Sequence, residues 1–466
     1  MSIQYYAKSL LPKCTHEFFK QNIYSILPLK YRMGRNYWRL RKFLDKAQWW
    51  DKEKILSWQY QKLKEIIEYA YHYVPGYHSL YQEAGVKPED IRLFEDIKLL
   101  PFTTKELIRD NLKDFTTRDS KQKISYMTTG GSTGIPFGFY WTSTNLWMEA
   151  AFIHESWQRV NWQVGDKNAV LRGLYIGNEK KFYAYKPHSK ELYLSSYYLT
   201  EKNYCDYLTL MQRYKTHYLH AYPSSISNLA NFVLENKTDT DFFPSVIFLG
   251  SENVYNWQLE KIQKAFPKAK LFAHYGQAEE VILAPWCQHE RKYHVWPFYG
   301  YHEILNGRNE IIKEGEIGEL IGTSFWSFGT PFIRYRTMDK AQKDKWGCCK
   351  CGRQFPLISV IEGRLQEVII SGTGRRISMA AINMHTNVFD HLYQFQFYQE
   401  KPGEIIFKIV PKSFYTEFDQ VKIEHELLKK LGKDIKLFIQ KVDKMEKTKS
   451  GKYRFLVQKL NVRDSD

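Results

Sequence analysis

No run of about 18 apolar residues occurs, so no membrane-spanning helix is expected. Mean hydropathy is −0.52 and 26% of residues are charged, the balance of a soluble globular chain. The N-terminal stretch lacks the order of a secretory signal: Lys8 and Lys13 interrupt its only apolar run, and no small-residue cleavage site follows. A cytoplasmic location is the expectation. Cysteine is scarce, six in 466 residues, which excludes a disulfide scaffold. Internal repeats and low-complexity tracts are absent, which argues against a solenoid. Acidic residues are outnumbered, 51 against 68 Lys plus Arg, for a formal charge of +17. That excess suits anionic partners such as nucleotides, phosphorylated carriers or an acidic lipid surface, and equally a basic solvated face.

Residues 1–55 mix rings and cations, as in Tyr37, Trp38, Arg39, Arg41, Lys42, Trp49 and Trp50. Such a segment either lies peripherally on an anionic membrane or packs on its own large domain, with the cations snorkelling. Apolar spacing predicts a helix over Lys52–Tyr73, ending before Pro75, and a helix start at Thr103-Thr104-Lys105-Glu106. Strand-like runs at Ala169–Leu174, Ser245–Leu249, Leu271–His274, Glu319–Thr323 and Val368–Ser371 alternate with helical patterns at Ile226–Glu235 and Asn256–Phe266. The alternation predicts an α/β fold. The texture then changes, and 367–460 reads as a smaller C-terminal α+β domain with a helix over 414–431 and a strand over Ile435–Gln440. The expected division is therefore 1–55, 56–364 and 365–466.

The sharpest motif is Tyr126-Met-Thr-Thr-Gly-Gly-Ser-Thr-Gly-Ile-Pro136. Gly130, Gly131 and Gly134 permit positive-φ turns, so that backbone N–H groups can converge on an anion. The hydroxyls of Thr128, Thr129, Ser132 and Thr133 add donors for phosphate oxygens. No Lys-Ser/Thr follows the last glycine, which excludes a Walker A loop. Alone, the run could be an ordinary surface loop. His274-Tyr-Gly-Gln-Ala-Glu279 adds an aromatic plane, a glycine turn and a carboxylate. Thr330-Pro-Phe-Ile-Arg-Tyr-Arg-Thr-Met-Asp339 sets two guanidiniums near a carboxylate, groups suited to phosphate and to ribose hydroxyls. Gly363-Arg364 and Lys447-Thr-Lys-Ser-Gly-Lys-Tyr-Arg454 close the two parts.

In order and content these motifs resemble the adenylate-forming enzymes, the acyl-CoA synthetase-like architecture. Within that superfamily the chain looks most like the phenylacetate–CoA ligase branch with its capsular-polysaccharide-biosynthesis relatives, over about residues 55–460. The resemblance implies an acid-activating ligase that uses ATP and Mg²⁺, forms an acyl-AMP from a small carboxylic acid, and passes the acyl group to CoA or to an amino or hydroxyl acceptor such as a sugar.

By the same resemblance, Thr128–Gly134 would hold the ATP phosphates and Glu279 the Mg²⁺. Tyr275 and Gly276 would lie at adenine, Ser251 and Glu252 on the nucleotide side, Asp339 on ribose, and Arg364 near ribose and phosphate. Lys452 would be the mobile catalytic cation, on a domain that swings about 364–367. The chain departs from the usual pattern at Ile135, where lysine is common, and at Ala278, Met338 and Gln366. These departures leave a nucleotide-binding relative without turnover as an alternative. A nucleic-acid-binding reading rests on the +17 charge and the interleaved Tyr, Trp and Arg, but no recognition signature accompanies them, and nucleic acid is not an expected partner. No oligomeric state is specified.

Cys349-Lys-Cys351-Gly-Arg353 offers two close thiols, and Cys287-Gln-His-Glu-Arg-Lys-Tyr-His294 offers another with two imidazoles. Three cysteines and a histidine make a closed tetrahedral zinc set, and the resembled branch includes members with a comparable site. His289 competes with His294 as a ligand, and Cys348 with Cys349.

Overall fold

A computed structural model describes residues 29–128, 137–173, 176, 182–199, 203–240, 244–364, 368–378, 387–389, 391–445 and 454–460. The chain divides into two compact units. The first comprises Met1–Lys167, Tyr185–Glu191 and Phe272–Val360; the second comprises Asn168–Ala184, Leu192–Leu271 and Ile361–Asp466.

In the first unit, the helix Lys52–Tyr73 starts at Asp51, whose side chain accepts from the Lys54 N–H at 2.7 Å. This cap satisfies one of the orphan donors at the helix start. The helix turns Ile55, Leu63, Ile66, Ile67 and Ala70 inward. Helix Arg35–Ala47 buries Tyr37, Leu40, Leu44 and Ala47 in a cluster with Met148, Ala151 and Phe152 of helix Ser143–Gln158. Fully burying each large side chain contributes about 1.5–3 kcal/mol. Arg41 donates to Glu155 Oε2 at 2.6 Å. This part of the basic aromatic segment therefore packs on its own unit.

Five strands form an antiparallel sheet in the order Tyr293–His294, Leu357–Arg364, Tyr335–Lys343, Ile317–Ser324, Gly300–Leu305. Glycine is required at 300, where a Cβ would lie 2.3 Å from the Val281 carbonyl oxygen. Its absence lets the segment after Glu279 lie directly against the sheet. A hairpin pairs Ile124–Thr128 with Gly138–Thr142, Thr128 opposite Gly138. Tyr126 occupies the space a side chain at 138 would need.

In the second unit, Asn168–Arg172, Tyr218–Ala221 and Val246–Leu249 are parallel neighbours, and helices Pro223–Glu235 and Asn256–Ala265 follow the latter two. A four-stranded sheet is ordered Lys436–Lys441, Glu404–Pro411, Leu392–Lys401, Leu456–Gln458. Its Ile405, Phe407 and Ile409 share a core with Ile423, Leu427 and Leu431 of helix Glu417–Leu431. The class is the expected one: α/β, with an α+β C-terminal part. Among the described residues no helix is long and apolar enough to cross a membrane.

Candidate active site and metal set

Asp339 lies in strand Tyr335–Lys343 and is 6% exposed. Its Oδ2 accepts from the Tyr275 hydroxyl at 2.5 Å, and the Gln277 amide donates to that same hydroxyl. The backbone just before it, at Met338, takes φ 63. That left-handed region suits glycine, so the departure noted at 338 carries backbone strain. Glu279 is 7% exposed, and its Oε1 accepts from the Tyr335 hydroxyl at 3.1 Å. Tyr275 is half-buried, while Gly276 is exposed. One carboxylate and one ring thus come together in Tyr275–Asp339, and Tyr335 orients a second carboxylate.

The guanidiniums of the Thr330–Asp339 motif are already filled. Arg334 donates to Glu303 through Nε at 3.0 Å and Nη2 at 2.9 Å, in a pair buried on both sides. Arg336 donates to Glu319 Oε2 at 2.5 Å. Both arginines tie neighbouring strands together, and their partners stand 31 and 17 residues away.

A further carboxylate pair adjoins Glu279. Glu280 is 1% exposed and accepts from the Asn145 side chain at 2.6 Å, and Glu149 accepts from the Tyr299 hydroxyl at 2.6 Å. Burial pushes both carboxyls up, Glu149 to about 7, and Glu149 raises Glu280 further by repulsion. Asn145 and Glu149 sit in the helix that directly follows strand Gly138–Thr142. No short-range pattern marks such a pair 131 residues apart in sequence.

In the second unit, Glu252 takes the N–H and the hydroxyl of Ser224, each at 3.0 Å. It thereby caps helix Pro223–Glu235, where a negative charge is favoured. Ser251 accepts from Arg172, whose guanidinium also lies 5.0 Å from the Tyr222 ring centroid. Thr128 ends its strand exposed. Thr129, Gly130, Gly131, Ser132, Thr133, Gly134 and Lys452 lie outside the described residues, as does the Arg364 side chain.

The donor atoms of Cys287, His294, Cys349 and Cys351 all lie within 4.8 Å of one another. Cys349 Sγ is 3.3 Å from Cys287 Sγ, and Cys351 Sγ is 3.6 Å from His294 Nε2. A tetrahedral metal with bonds of about 2.3 Å to sulfur and about 2.0 Å to nitrogen spaces its donors roughly 3.5–3.8 Å apart. The set therefore fits a zinc-type ion. Burial holds His294 below the usual imidazole range, which favours the neutral ring that a metal requires. Hydrogen bonding with Cys287, then with His294, pulls Cys351 down, while the same pairing pushes Cys287 up. His289 supplies its backbone N–H to Cys287 Sγ at 3.4 Å, and Cys348 is exposed outside the set.

The CapK C-terminal domain family matches residues 369–459. Protein CapK of Staphylococcus aureus is 24% identical over 87% of this chain and 90% of its own. A phenylacetate-coenzyme A ligase of Thermus thermophilus is 26% identical over 68% of this chain and 72% of its own. Among solved structures, a 2-hydroxyisobutyryl-CoA ligase in complex with 2-HIB-AMP superposes with TM-score 0.72 at 16% identity, over 88% of this chain and 90% of that one. The chain is homologous to CapK and to the phenylacetate–CoA ligases, and it has the fold of the adenylate-forming CoA ligases.

Proposed function

We propose that the protein is an AMP-forming ligase that adenylates a carboxylic acid and passes the acyl group to CoA. The observation that carries this reading is the buried Asp339 carboxylate held beside the Tyr275 ring, in a fold whose solved neighbours hold acyl-adenylates. The substrate carboxylate attacks the α-phosphorus of ATP, the α–β phosphoanhydride bond breaks, and pyrophosphate leaves. The acceptor's sulfur then attacks the acyl carbon and AMP departs. Asp339 takes the ribose hydroxyls, Tyr275 faces adenine, and Arg364 steadies ribose and phosphate. Thr128–Gly134 surrounds the phosphates, with backbone donors in place of the cation missing at Ile135. Ser251 and Glu252 contribute from the nucleotide side. Glu279 would hold Mg²⁺, which would supply positive charge to offset the pyrophosphate. Lys452 bridges the substrate carboxylate and the α-phosphate as charge redistributes, then withdraws as its domain turns about 364–367. Positioning and electrostatics, more than covalent catalysis by the protein, set the rate.

Cys287, His294, Cys349 and Cys351 would hold a Zn²⁺ in a structural role. A second reading of the acceptor, favoured by the likeness to CapK over 87% of the chain, is an amino or hydroxyl group of a sugar in surface polysaccharide synthesis. The chemistry belongs to the cytoplasm, where ATP and CoA are supplied.

Mass spectrometry of the protein incubated with Mg·ATP and a panel of acids, with and without CoA, tests this. An acyl-AMP should form with at least one acid and be consumed when CoA is added. An acyl-AMP that persists with CoA but disappears with an amino sugar selects the second acceptor. No AMP from any acid, with folded protein, overturns the proposal.

A further inference from the structure

Helix Arg35–Ala47 has two opposite faces. Tyr37, Leu40, Leu44 and Ala47 are buried against the first unit. Arg35, Arg39, Lys42 and Lys46 are exposed. Their spacing, at 3.6 residues per turn, sets them in one row on the side away from the buried four. At 1.5 Å per residue the row is about 16 Å long. Large rings are exposed beyond each end of the helix, Tyr31 at 50% and Trp49 at 55%.

The row is uncompensated. Arg41, on the flank, is taken by Glu155 and Gln158. Among the described residues, the side chains of the four exposed cations make no ion pair. Residues 29–50 hold seven Lys or Arg against one acid, Asp45. The chain ahead adds Lys8, Lys13 and Lys20 against Glu17, so it brings no net negative charge. Like charges three and four residues apart on a helix repel. The row therefore weakens its own helix in water and is relieved beside an anionic surface.

We propose that this face docks the protein peripherally on an anionic lipid bilayer. A free-standing interfacial helix would sink its apolar face into the acyl boundary. Here that face is already spent on the protein core, so the attachment is electrostatic. Tyr31 and Trp49 lie at headgroup level, where such rings concentrate. A headgroup layer meets both the cations and the rings, whereas a nucleic-acid duplex meets the cations alone. The charges act within a Debye length, about 8 Å at physiological ionic strength, so binding falls as salt rises.

The test is co-sedimentation of the full chain with phosphatidylcholine vesicles, and with vesicles in which roughly a third of the lipid is phosphatidylserine. Wild type should bind the anionic vesicles at least about tenfold more tightly and release in high salt. Each Lys or Arg near such a surface strengthens binding about fivefold. Replacing Arg35, Arg39, Lys42 and Lys46 together by Gln should thus weaken binding about 100-fold or more, and either the Arg35/Arg39 or the Lys42/Lys46 pair about tenfold or more. The pairs carry the test should the fourfold variant fail to fold. A control replacing the exposed Lys98, Lys113, Arg308 and Lys313 by Gln loses the same charge elsewhere and should bind within about threefold of wild type. No preference of wild type for anionic vesicles overturns the proposal, as does an equal loss in control and row variants. Binding to a DNA duplex that depends on the row, without binding to vesicles, overturns it in favour of nucleic acid.

Discussion

Tyr275 donates its phenolic hydrogen to Asp339 Oδ2 at 2.5 Å, across 64 residues of sequence. The bond fixes the ring and the carboxylate as one unit. A ribose whose hydroxyls replace or share the tyrosine donor would find Asp339 already oriented. Asp339→Asn keeps the shape but weakens the acceptor. KM for ATP should rise at least about tenfold, the loss of a charge-assisted hydrogen bond. Tyr275→Phe should cost less, since the carboxylate remains. Steady-state kinetics in ATP check this, and an unchanged KM in Asp339→Asn contradicts the ribose assignment.

Glu149 gives a pH signature. Its folded carboxyl is pushed up to about 7 by burial, above its ordinary value of 4.5. The folded state therefore holds a proton that the unfolded state has released. Stability is full below the unfolded value and falls as pH rises through the folded one. Glu149→Gln keeps an acceptor for Tyr299 and removes the titration. The variant should match wild type near pH 4.5 and exceed it by about 3 kcal/mol at pH 8. Urea melts at both pH values decide it; parallel profiles for the two proteins contradict it.

Met338 holds φ 63 beside Asp339. A left-handed conformation costs a side-chain-bearing residue about 1–2 kcal/mol, while glycine pays about 0.5–1 kcal/mol in chain entropy. Met338→Gly should be neutral or stabilising by up to about 1 kcal/mol. Met338→Val, branched at Cβ, should lose about 1–2 kcal/mol. Thermal melts of both variants check the sign, and the opposite ranking contradicts the account.

Stripping metal with a strong chelator should lower the melting temperature, because an ion that binds only the folded chain adds its binding free energy to stability. Cys287→Ser should mimic the effect and become insensitive to the chelator. Elemental analysis should give about one zinc per wild-type chain. A melt unaffected by chelation in zinc-loaded protein contradicts a structural metal.

Local chemistry made much of this fold readable. The helix Lys52–Tyr73 is bracketed by Asp51 and Pro75, a cap and a breaker, and forms between them. Thr104 caps its helix by accepting from Leu107 N at 3.1 Å, as its place before Lys105-Glu106 implies. Strand runs at Ser245–Leu249 and Leu271–His274 emerge with ends shifted by a residue or two, where edge hydrogen bonds rather than side chains set the limit. Long-range charge pairing was not readable. Arg334 looks like a phosphate fork in sequence, but Glu303 on another strand fills it. Nor does Arg159 differ in sequence from a surface arginine at a helix end; only folding brings Trp296 and Phe355 against it. The choice between His289 and His294 likewise depended on strand Tyr293–His294 pairing with Leu357 and Ile358, which brings His294 to the knuckle.

ATP–pyrophosphate exchange across a panel of carboxylic acids, run on wild type and Lys452→Ala, tests the central claim of acid adenylation most directly. At least one acid should drive exchange by wild type. Lys452→Ala should exchange about 100-fold slower or worse, given the cost of losing a preorganised transition-state contact, while still binding ATP. Exchange by wild type with no acid, or an undiminished rate in Lys452→Ala, would contradict it.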